Sequence, residues 1–390
     1  MIDRMKPWFV PSLIAAGFIA VVVGYTSSAA IIFEAARAAG ASPAEIASWL
    51  WALGLGMGVT CVGLSLVYRS PVLTAWSTPG AALLATSLAG VPMSEAIGAF
   101  LFASALIAVA GFSGAFDRVM RHVPHAVASA MLAGVLVRFG LDVFAVLPAN
   151  AALVGSMLVT FVLGRRLLPR YAIPVTLLAG VAVSAAAGQL HSAAFTIEWA
   201  HPVFTLPRWT MSSLIGIGLP LFIVTMASQN APGLAVLRAN GYRVPVSPLV
   251  GFTGLTGVLL APFGGFSFNL AAITAAICMS PDAHPDPTQR YRASVWAGVF
   301  YLITGLFGAT VAGALTAFPQ ALVTAIAGLA LLATIANSLH GALAEPQDRD
   351  AALITFLVTA SGLTLFGIGG AFWGLLFGLA VSIVGRRRAA

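Results

Sequence analysis

The sequence predicts an all-α integral membrane protein whose fourteen transmembrane segments form two inverted repeats of seven segments each. The first observation behind this fold class is composition: 59% of the 390 residues are hydrophobic, 8% are charged, and the mean hydropathy is +0.98. Soluble domains carry roughly 25% charged residues, so water is not the main solvent of this chain. The second observation is an internal repeat, and the third is a pair of interrupted segments in matching places.

The second half of the chain repeats the first at a nearly constant offset. The matches are Ser12 with Ser213, Gly17 with Gly218, Ser27 with Ser228, Arg37 with Arg238, Ser77 with Ser267 and Pro124 with Pro319. An odd number of crossings makes successive copies enter the membrane in opposite senses, so we expect an inverted repeat, with copies at residues 1–195 and 210–390. A duplicated membrane unit of this kind is typical of transporters.

The segments are the apolar stretches between turn signals. In chain order they lie near residues 8–33, 46–67, 72–89, 93–115, 124–147, 150–164, 171–190, 211–237, 245–262, 264–280, 293–317, 319–340, 350–367 and 369–385. With a cytoplasmic amino terminus, almost all of the 19 Lys and Arg residues fall on the inside, except Arg37, Arg138 and Arg208. The positive-inside rule therefore predicts that both termini are cytoplasmic. It also explains the net charge of +7 without a nucleic-acid partner.

The third and tenth segments are predicted to be half-helices preceded by short extended strands. In the third, residues 70–76 read as extended chain, and Ser77 or Thr78 is expected to cap a helix with Pro79 in its first turn. In the tenth, the run 262–266 precedes Ser267, and a short helix to residue 279 follows. Non-helical backbone at this depth requires protein or a wet cavity to satisfy its polar groups. The alternative is two ordinary spans kinked by Gly and Pro.

A substrate site is expected where the two half-helices meet, because their N-termini present free N–H groups and positive dipole ends to one point. The rings of Trp76, Phe266 and Phe268 would enclose a flat apolar ring. The polar candidates for binding a carboxylate are Ser77, Thr78, Ser267 and Asn269, together with Tyr25, Thr26, Ser27, Ser28, Ser228, Gln229 and Asn230 on the first and eighth segments. The alternative role for each polar residue is a hydrogen bond between helices.

Charged residues inside the predicted spans are few, and such residues are the usual carriers of coupled protons. Arg138 and Asp142 are four residues apart in the fifth segment, the spacing of a helical ion pair. We expect them to form a structural pair near the outer end of the segment, with a gate or proton relay as the alternative. Glu34, near the outer end of the first segment, is the other proton-coupling candidate. No pattern indicates a metal site, a cofactor or catalytic residues.

Several runs resemble the benzoate/proton symporter (BenE) family, and the resemblance covers essentially the whole chain. They are residues 24–28 (GYTSS), 74–84 (TAWSTPGAALL), 228–233 (SQNAPG) and 262–274 (PFGGFSFNLAAIT). The resemblance implies a bacterial inner-membrane secondary transporter that imports benzoate or a related aromatic acid with protons. It places the substrate among residues 25–28, 228–230 and 266–269 and the half-helix start from Trp76 to Gly80.

The BenE family is similar in architecture to the nucleobase permeases, in which segments one to four and eight to eleven form a core domain and the others form a gate domain. Carried onto this chain, the core domain covers about residues 8–115 plus 211–317, and the gate domain 124–190 plus 319–385. The gate domain of the permeases often dimerises, so the resemblance implies a homodimer through this domain. One departure matters: the permeases have acidic residues on the eighth and tenth segments, where this chain has Gln229, Asn230 and Asn269. Their absence fits an anionic substrate and removes the obvious proton carrier.

Three other functions stay open on the sequence. The first is a transporter of the same fold for a nucleobase or another small anion, and an acid in the site would favour the nucleobase. The second is an anion channel, which would show neither counterflow nor saturation. The third is a membrane enzyme, against which stands the lack of an HExxH motif, of paired carboxylates and of a nucleophile with a base.

Overall fold

The computed structural model describes residues 8–115, 124–190, 197–366 and 368–389, which are mainly helical. The first half contains α1 (Pro11–Ala38), α2 (Pro43–Tyr68), β1 (Thr74–Trp76), α3 (Thr78–Ser87), α4 (Met93–Phe112), α5 (His125–Val146), α6 (Ala151–Leu167) and α7 (Ala172–Ala186). The second half contains α8 (Met211–Ala239), α9 (Val246–Leu260), β2 (Phe268–Leu270), α10 (Ile273–Met279), α11 (Tyr291–Leu306), α12 (Gly308–Ala317), α13 (Gln320–Leu343), α14 (Arg349–Ala360), β3 (Thr364–Leu365), β4 (Ile368–Gly369) and α15 (Gly370–Ala389).

Eight helices in the described part of the chain are long and apolar enough to cross a membrane. A ninth span results if α11 and α12, which are bent by 68° at their junction, are counted together. Each of the fourteen predicted segments contains a helix, but α3, α7, α10 and α14 have only 10, 15, 7 and 12 residues. The chain is therefore a multi-pass membrane protein, and the count of fourteen crossings stays a prediction.

Local sequence explains where the long helices begin and end. Before α2, the hydroxyl of Ser42 accepts the N–H of Glu45 at 3.3 Å, and the Glu45 carboxylate accepts the N–H of Ser42 at 2.8 Å. This reciprocal capping box satisfies two N–H groups that the helix leaves free. After α1 and α8, Gly40 and Gly241 adopt φ values of +72° and +84°. Left-handed glycines of this kind terminate helices, and these two occupy matching positions of the sequence repeat.

The helices pack in two groups. In the first group, α11 packs on α1 and α2, α12 on α2, α9 and α8 on α4, and α3 and α10 on α1. In the second group, α13 and α14 pack on α5, α15 on α14, and α6 on α7. The approach of α2 to α11 is close, since a Cβ atom on Gly54 would lie 2.4 Å from the Cα atom of Gly305. Small residues at helix crossings allow such contacts in membranes, where packing rather than water drives association.

The two central strands lie in the third and tenth segments, where the sequence predicts extended chain. They pair antiparallel, with Thr74 opposite Leu270 and Trp76 opposite Phe268. α3 begins directly after β1, whereas α10 begins only at Ile273. The tenth segment enters its helix later than expected because residues 268–270 are used to pair with β1.

The thirteenth predicted segment, at residues 350–367, is too long. α14 ends at Ala360, and Gly362 follows with φ +70°. A short antiparallel pair, β3 with β4, then leads into α15. A left-handed glycine directly after a helix stops it, and the apolar residues beyond Gly362 therefore form the strand pair.

Candidate functional site

A cavity of about 750 Å³ lies between the two groups of helices. The first group lines it with residues of α1, α3, α8 and α10, with Tyr301 of α11 and with the end of β1. The second group lines it with residues of α5, α6, α7 and α13. Both groups contribute to one cavity, so a relative movement of the groups would change its walls.

The strand β1 is held at the cavity by side chains of α2. The Thr60 and Thr74 hydroxyls are 2.6 Å apart, and the N–H of Thr74 donates to the sulfur of Cys61 at 3.2 Å. Ser65 donates to the carbonyl of Val72 at 2.9 Å. The strand is buried, so these side chains replace water as hydrogen-bond partners of the extended chain.

The strand β2 is held by hydrogen bonds with α8 and with the residue that precedes β1. The side-chain oxygen of Asn230 accepts the N–H of Leu270 at 2.9 Å, and the carbonyl of Leu73 accepts the N–H of Ala271 at 2.9 Å. Asn230 lies in a π-helical turn at residues 226–230 of α8. Such turns widen a helix locally and are frequent at functional sites. This turn also contains Ser228 and Gln229, which line the cavity.

The N-terminus of α3 opens at the cavity wall. Ser77 is the N-cap, and its hydroxyl accepts the N–H of Gly80 at 3.0 Å. Thr78 and Pro79 follow in the first turn, and both line the cavity. The positive end of the α3 dipole therefore lies at the cavity, where it favours negative charge.

Six of the predicted site residues line the cavity: Ser27, Ser28, Trp76, Thr78, Ser228 and Gln229. The three serine hydroxyls already donate within their own helices, to the carbonyls of Gly24 at 3.0 and 2.9 Å and of Val224 at 2.5 Å. Thr78 and Gln229 differ, because their side chains have no hydrogen-bond partner among the described residues. Their donors are therefore available to a bound molecule.

The other predicted site residues do not line the cavity: Tyr25, Thr26, Ser77, Gly80, Asn230, Phe266, Ser267, Phe268 and Asn269. Phe266, which precedes β2, and Phe268, which is its first residue, are both fully buried. Phe266 packs against the rings of Trp49 and Phe100, at centroid distances of 6.2 and 6.0 Å. Phe268 packs on α2, where its ring occupies the space beside Gly56. Their contacts stiffen the strand pair.

The remaining predicted residues make structural contacts. The hydroxyl of Ser267 lies 3.0 Å from that of Thr225, and both side chains are buried. The Tyr25 ring packs edge-on against Trp76 at a centroid distance of 4.7 Å. Thr26 donates to a carbonyl of its own helix at 2.7 Å. Tyr25 thus supports the aromatic wall of the cavity from behind.

Sequence reasoning missed the second-group wall of the cavity. Its polar and aromatic members include His125 and Ser129 on α5, Phe161 and Arg165 on α6, and Thr334, Asn337 and Ser338 on α13. One signal was available: the three α13 residues recur at spacings of three and four, so they share one helix face. Arg165 appeared only as an inside-facing charge, because the sequence does not bring α6 to the cavity.

The charge of the cavity wall is positive. Among the described residues that line it, Arg165 carries the single formal charge, and none is Asp or Glu. A wall of this kind favours anions over cations.

The proton-coupling candidate Glu34 lies outside the cavity, at the contact between α1 and α13. Its carboxylate accepts the amide N–H of Gln320 at 2.9 Å and lies 3.8 Å from Arg37. Arg37 in turn donates to the Gln320 side-chain oxygen at 2.6 Å. These two hydrogen bonds of Gln320 join one group of helices to the other.

The predicted ion pair of Arg138 with Asp142 is not formed. Both side chains are exposed, and no salt bridge joins them in the described part of the chain. The guanidinium of Arg138 instead lies near Gly362, 3.7 Å from where a Cβ atom would be. Exposed side chains gain little from pairing, since solvent screens the attraction.

The chain matches a known family of membrane transport proteins over nearly its whole length. The profile of the benzoate membrane transport protein family, BenE, matches residues 8–384. Inner membrane protein YdcO of Escherichia coli strain K12 is 51% identical over 368 residues, which cover 94% of each chain. The benzoate membrane transport protein of Acinetobacter baylyi is 38% identical over 374 residues, covering 96% of this chain and 95% of the relative.

Solved structures of anion and bicarbonate transporters share the fold. The murine Solute Carrier 26 family member A9 anion transporter in the inward-facing state matches 98% of this chain and 69% of its own, with a TM-score of 0.60 and 15% identity. The transmembrane domain of the cyanobacterial bicarbonate transporter BicA matches 96% of this chain and 97% of its own, with a TM-score of 0.57 and 13% identity.

Proposed function

The chain belongs to the BenE family of benzoate membrane transport proteins, and we propose that it imports benzoate or a similar aromatic carboxylate across the bacterial inner membrane by proton symport. It is a transport protein and not an enzyme. The observation that carries the substrate proposal is the cavity wall. It combines the Trp76 ring with the unused donors of Thr78 and Gln229, and no acidic residue lines it among those described.

The roles of the cavity residues follow from their chemistry. Trp76 offers an aromatic surface, which an aromatic ring of the substrate contacts edge-on or offset. Thr78 and Gln229 offer a hydroxyl and an amide N–H to the carboxylate. The positive end of the α3 dipole adds to the attraction. Ser27, Ser28 and Ser228 complete the polar wall.

For the architecture, we propose fourteen crossings in two inverted repeats. The central pairing of β1 with β2, which brings matching places of the two halves together, supports the repeat. The two packing groups coincide with the proposed core domain, α1 to α4 with α8 to α12, and the proposed gate domain, α5 to α7 with α13 to α15. A homodimer through the gate domain belongs to the same proposal.

Alternating access follows from this arrangement, because the core and gate domains share the cavity. The gate domain lines the cavity with the first residues of α5 and α7, the last two turns of α6 and the second half of α13. We propose that both chain termini are cytoplasmic, which places these helix ends on the cytoplasmic side. The described conformation is then inward-facing.

The roles of Thr78 and Ser267 are separable by mutation. Thr78→Val should weaken benzoate binding about fivefold, because it removes a free hydroxyl donor worth about 1 kcal/mol while keeping the side-chain shape. Ser267→Ala should leave binding unchanged and lower the melting temperature, because it leaves Thr225 without its partner. Equilibrium binding of labelled benzoate and thermal melting of both purified variants give the two readouts. Equal affinities in the two variants would contradict the proposed position of the carboxylate.

Glu34 is the proposed proton carrier. Glu34→Gln keeps an acceptor for Gln320 but loses the titrating group, so benzoate exchange should persist while gradient-driven accumulation should disappear. Asp142→Asn is the matched control, since Asp142 is exposed and, unlike Glu34, has no hydrogen bond to the other group of helices in the described part of the chain. Accumulation ratios in proteoliposomes with an imposed inward proton gradient give the result. Full accumulation by Glu34→Gln would remove Glu34 from the coupling step.

The transport proposal is tested with the wild-type protein in proteoliposomes. We expect saturable uptake of labelled benzoate that an inward proton gradient stimulates and that excess uracil leaves unchanged. Counterflow, in which unlabelled benzoate inside the vesicles drives labelled benzoate in, should also occur. Uptake without counterflow or saturation would instead indicate an anion channel. Inhibition by uracil with no benzoate uptake would indicate a nucleobase carrier of the same fold.

A further inference from the structure

We infer that Arg165 and Phe161 form a second binding site for the aromatic carboxylate, carried by the gate domain at the cytoplasmic mouth of the cavity. The inference rests on the proposed function, because it takes the substrate class and the membrane orientation from it. The site is distinct from the wall formed by Trp76, Thr78 and Gln229, which belongs to the core domain.

The first observation is the geometry of the pair. Phe161 and Arg165 are four residues apart on α6, so they are neighbours on one helix face, and both line the cavity. The guanidinium carbon of Arg165 lies 5.8 Å from the centroid of the Phe161 ring. This cation–π contact holds the guanidinium at the cavity wall. Phe161 itself is buried, with 6% of its surface exposed, so it is a fixed platform.

The second observation is that the Arg165 charge is not neutralised. No carboxylate pairs with Arg165 in the described ranges, and no Asp or Glu lines the cavity there. The guanidinium presents its N–H donors in a planar fork that matches a carboxylate. An unpaired fork at an apolar cavity is therefore a site for a carboxylate anion.

The third observation concerns the surroundings of the pair. The first turn of α7 places the apolar Ala172 and Ile173 beside it on the cavity wall. Elsewhere, the polar residues of the cavity wall include His125 and Ser129 on α5 and Asn337 on α13. The carboxylate of an aromatic acid would meet the Arg165 guanidinium, and its flat apolar ring would meet Ala172 and Ile173.

Because Arg165 belongs to the gate domain, we expect its effect on substrate affinity to differ between the two sides of the membrane. The core-domain residues face the substrate in either orientation of the carrier, whereas the gate domain forms this part of the cavity only when the cavity opens to the cytoplasm. Arg165 should therefore raise the affinity on the cytoplasmic side alone. A residue that merely supports the fold would alter transport from both sides equally.

The test uses Arg165→Gln with Arg166→Gln as the matched control. Arg166 is the next residue of α6 and is exposed, but it does not line the cavity. Both substitutions remove one positive charge from the same end of α6, so they affect membrane orientation equally. Benzoate counterflow is measured from each side in vesicles of known sidedness.

We expect Arg165→Gln to raise the KM for benzoate on the cytoplasmic side by about threefold to tenfold, because Arg165 is exposed and solvent weakens its charged hydrogen bond to the carboxylate. The KM of Arg165→Gln on the outer side should stay at the wild-type level. The KM of Arg166→Gln should stay at that level on both sides. Arg165→Lys should fall between wild type and Arg165→Gln, because it keeps the charge without the fork.

Two results would overturn the inference, and they differ in meaning. If wild type carries benzoate but Arg165→Gln and Arg166→Gln have the same KM on both sides, the Arg165 site is wrong and the transport proposal stands. If wild type folded into the same vesicles does not carry benzoate, both proposals fail together.

Discussion

Gln229→Glu should lower the affinity for benzoate by roughly 100-fold at neutral pH. The substitution keeps the length and branching of the side chain and replaces an amide donor with a carboxylate. Two like charges about 5 Å apart repel by about 3 kcal/mol at an effective dielectric constant of about 20. A tenfold loss of affinity corresponds to about 1.4 kcal/mol, so the repulsion alone accounts for the expected effect.

Gln229→Met is the control that isolates the charge. It removes the amide donor without adding a charge, and we expect about a fivefold loss, the cost of one ordinary hydrogen bond of about 1 kcal/mol. Equilibrium binding of labelled benzoate to the purified variants measures both losses without involving the proton gradient. The difference between the two variants reports how close the substrate carboxylate lies to Gln229.

Acidification should partly restore binding to Gln229→Glu. An introduced Glu ordinarily titrates near pH 4.3, so a growing fraction of it is neutral as the pH falls toward 5. Below its pKa the side chain is neutral and no longer repels the substrate, so affinity should rise as the pH falls from neutral toward 5. Equal losses in the Glu and Met variants, with no effect of pH, would show that the substrate carboxylate binds elsewhere.

The sequence allowed the membrane segments and the extended chain at the centre to be predicted, because these depend on local patterns. Pro71 with the cap at Ser77 and Pro79, and the glycine-rich run before β2, mark breaks that no regular apolar helix would contain. Half of the polar wall was also predictable, since polar residues such as Ser27, Ser228 and Gln229 are rare within apolar spans.

The direction of side chains could not be predicted from these patterns. Phe266 and Phe268 were expected to hold the substrate ring, yet both face away from the cavity. Phe268 packs beside Gly56 of α2, Phe266 packs against Trp49 and Phe100, and the pairing of β2 with β1 fixes where this segment lies. That pairing joins residues almost two hundred positions apart, so no local window contains it.

The gate side of the cavity depends on packing between helices that are distant in sequence. From the sequence, Arg165 is predicted only as an inside-facing charge. The packing of α6 on α7 and α13 brings it to the cavity. The pairing of Arg138 with Asp142 failed for the related reason that helical spacing permits a contact but does not supply a driving force for it at an exposed site.

Gly264→Ala should destabilise the protein more than any substitution within the cavity wall and should abolish transport. Gly264 closes the turn before β2 with φ +94°, a conformation that costs other residues about 1–2 kcal/mol. In addition, the new methyl carbon would lie 1.8 Å from the Trp49 indole. Trp49 is buried against Phe100 and Phe266, so moving it would disturb these ring contacts, and overpacking should add about 1–3 kcal/mol.

Gly241→Ala separates the two contributions. Gly241 has a similar φ of +84° but nothing within 4 Å of its added Cβ atom, so its alanine variant carries the backbone cost alone. Thermal melting of the purified variants should therefore rank wild type above Gly241→Ala and Gly241→Ala above Gly264→Ala. Gly241→Ala should retain benzoate uptake, because it lies after α8 and away from the strands.

The contact with Trp49 can be tested directly by a double-mutant cycle. Trp49→Ala on its own creates a cavity and destabilises the protein, but it also removes the ring that the new methyl group would strike. Gly264→Ala should then cost less in the Trp49→Ala background than in wild type, with a coupling of about 1–3 kcal/mol. Additive effects would mean that backbone conformation alone fixes glycine at this turn. A measured coupling would instead show that Trp49 and Gly264 together hold β2, and through it the strand pair, beside the substrate cavity.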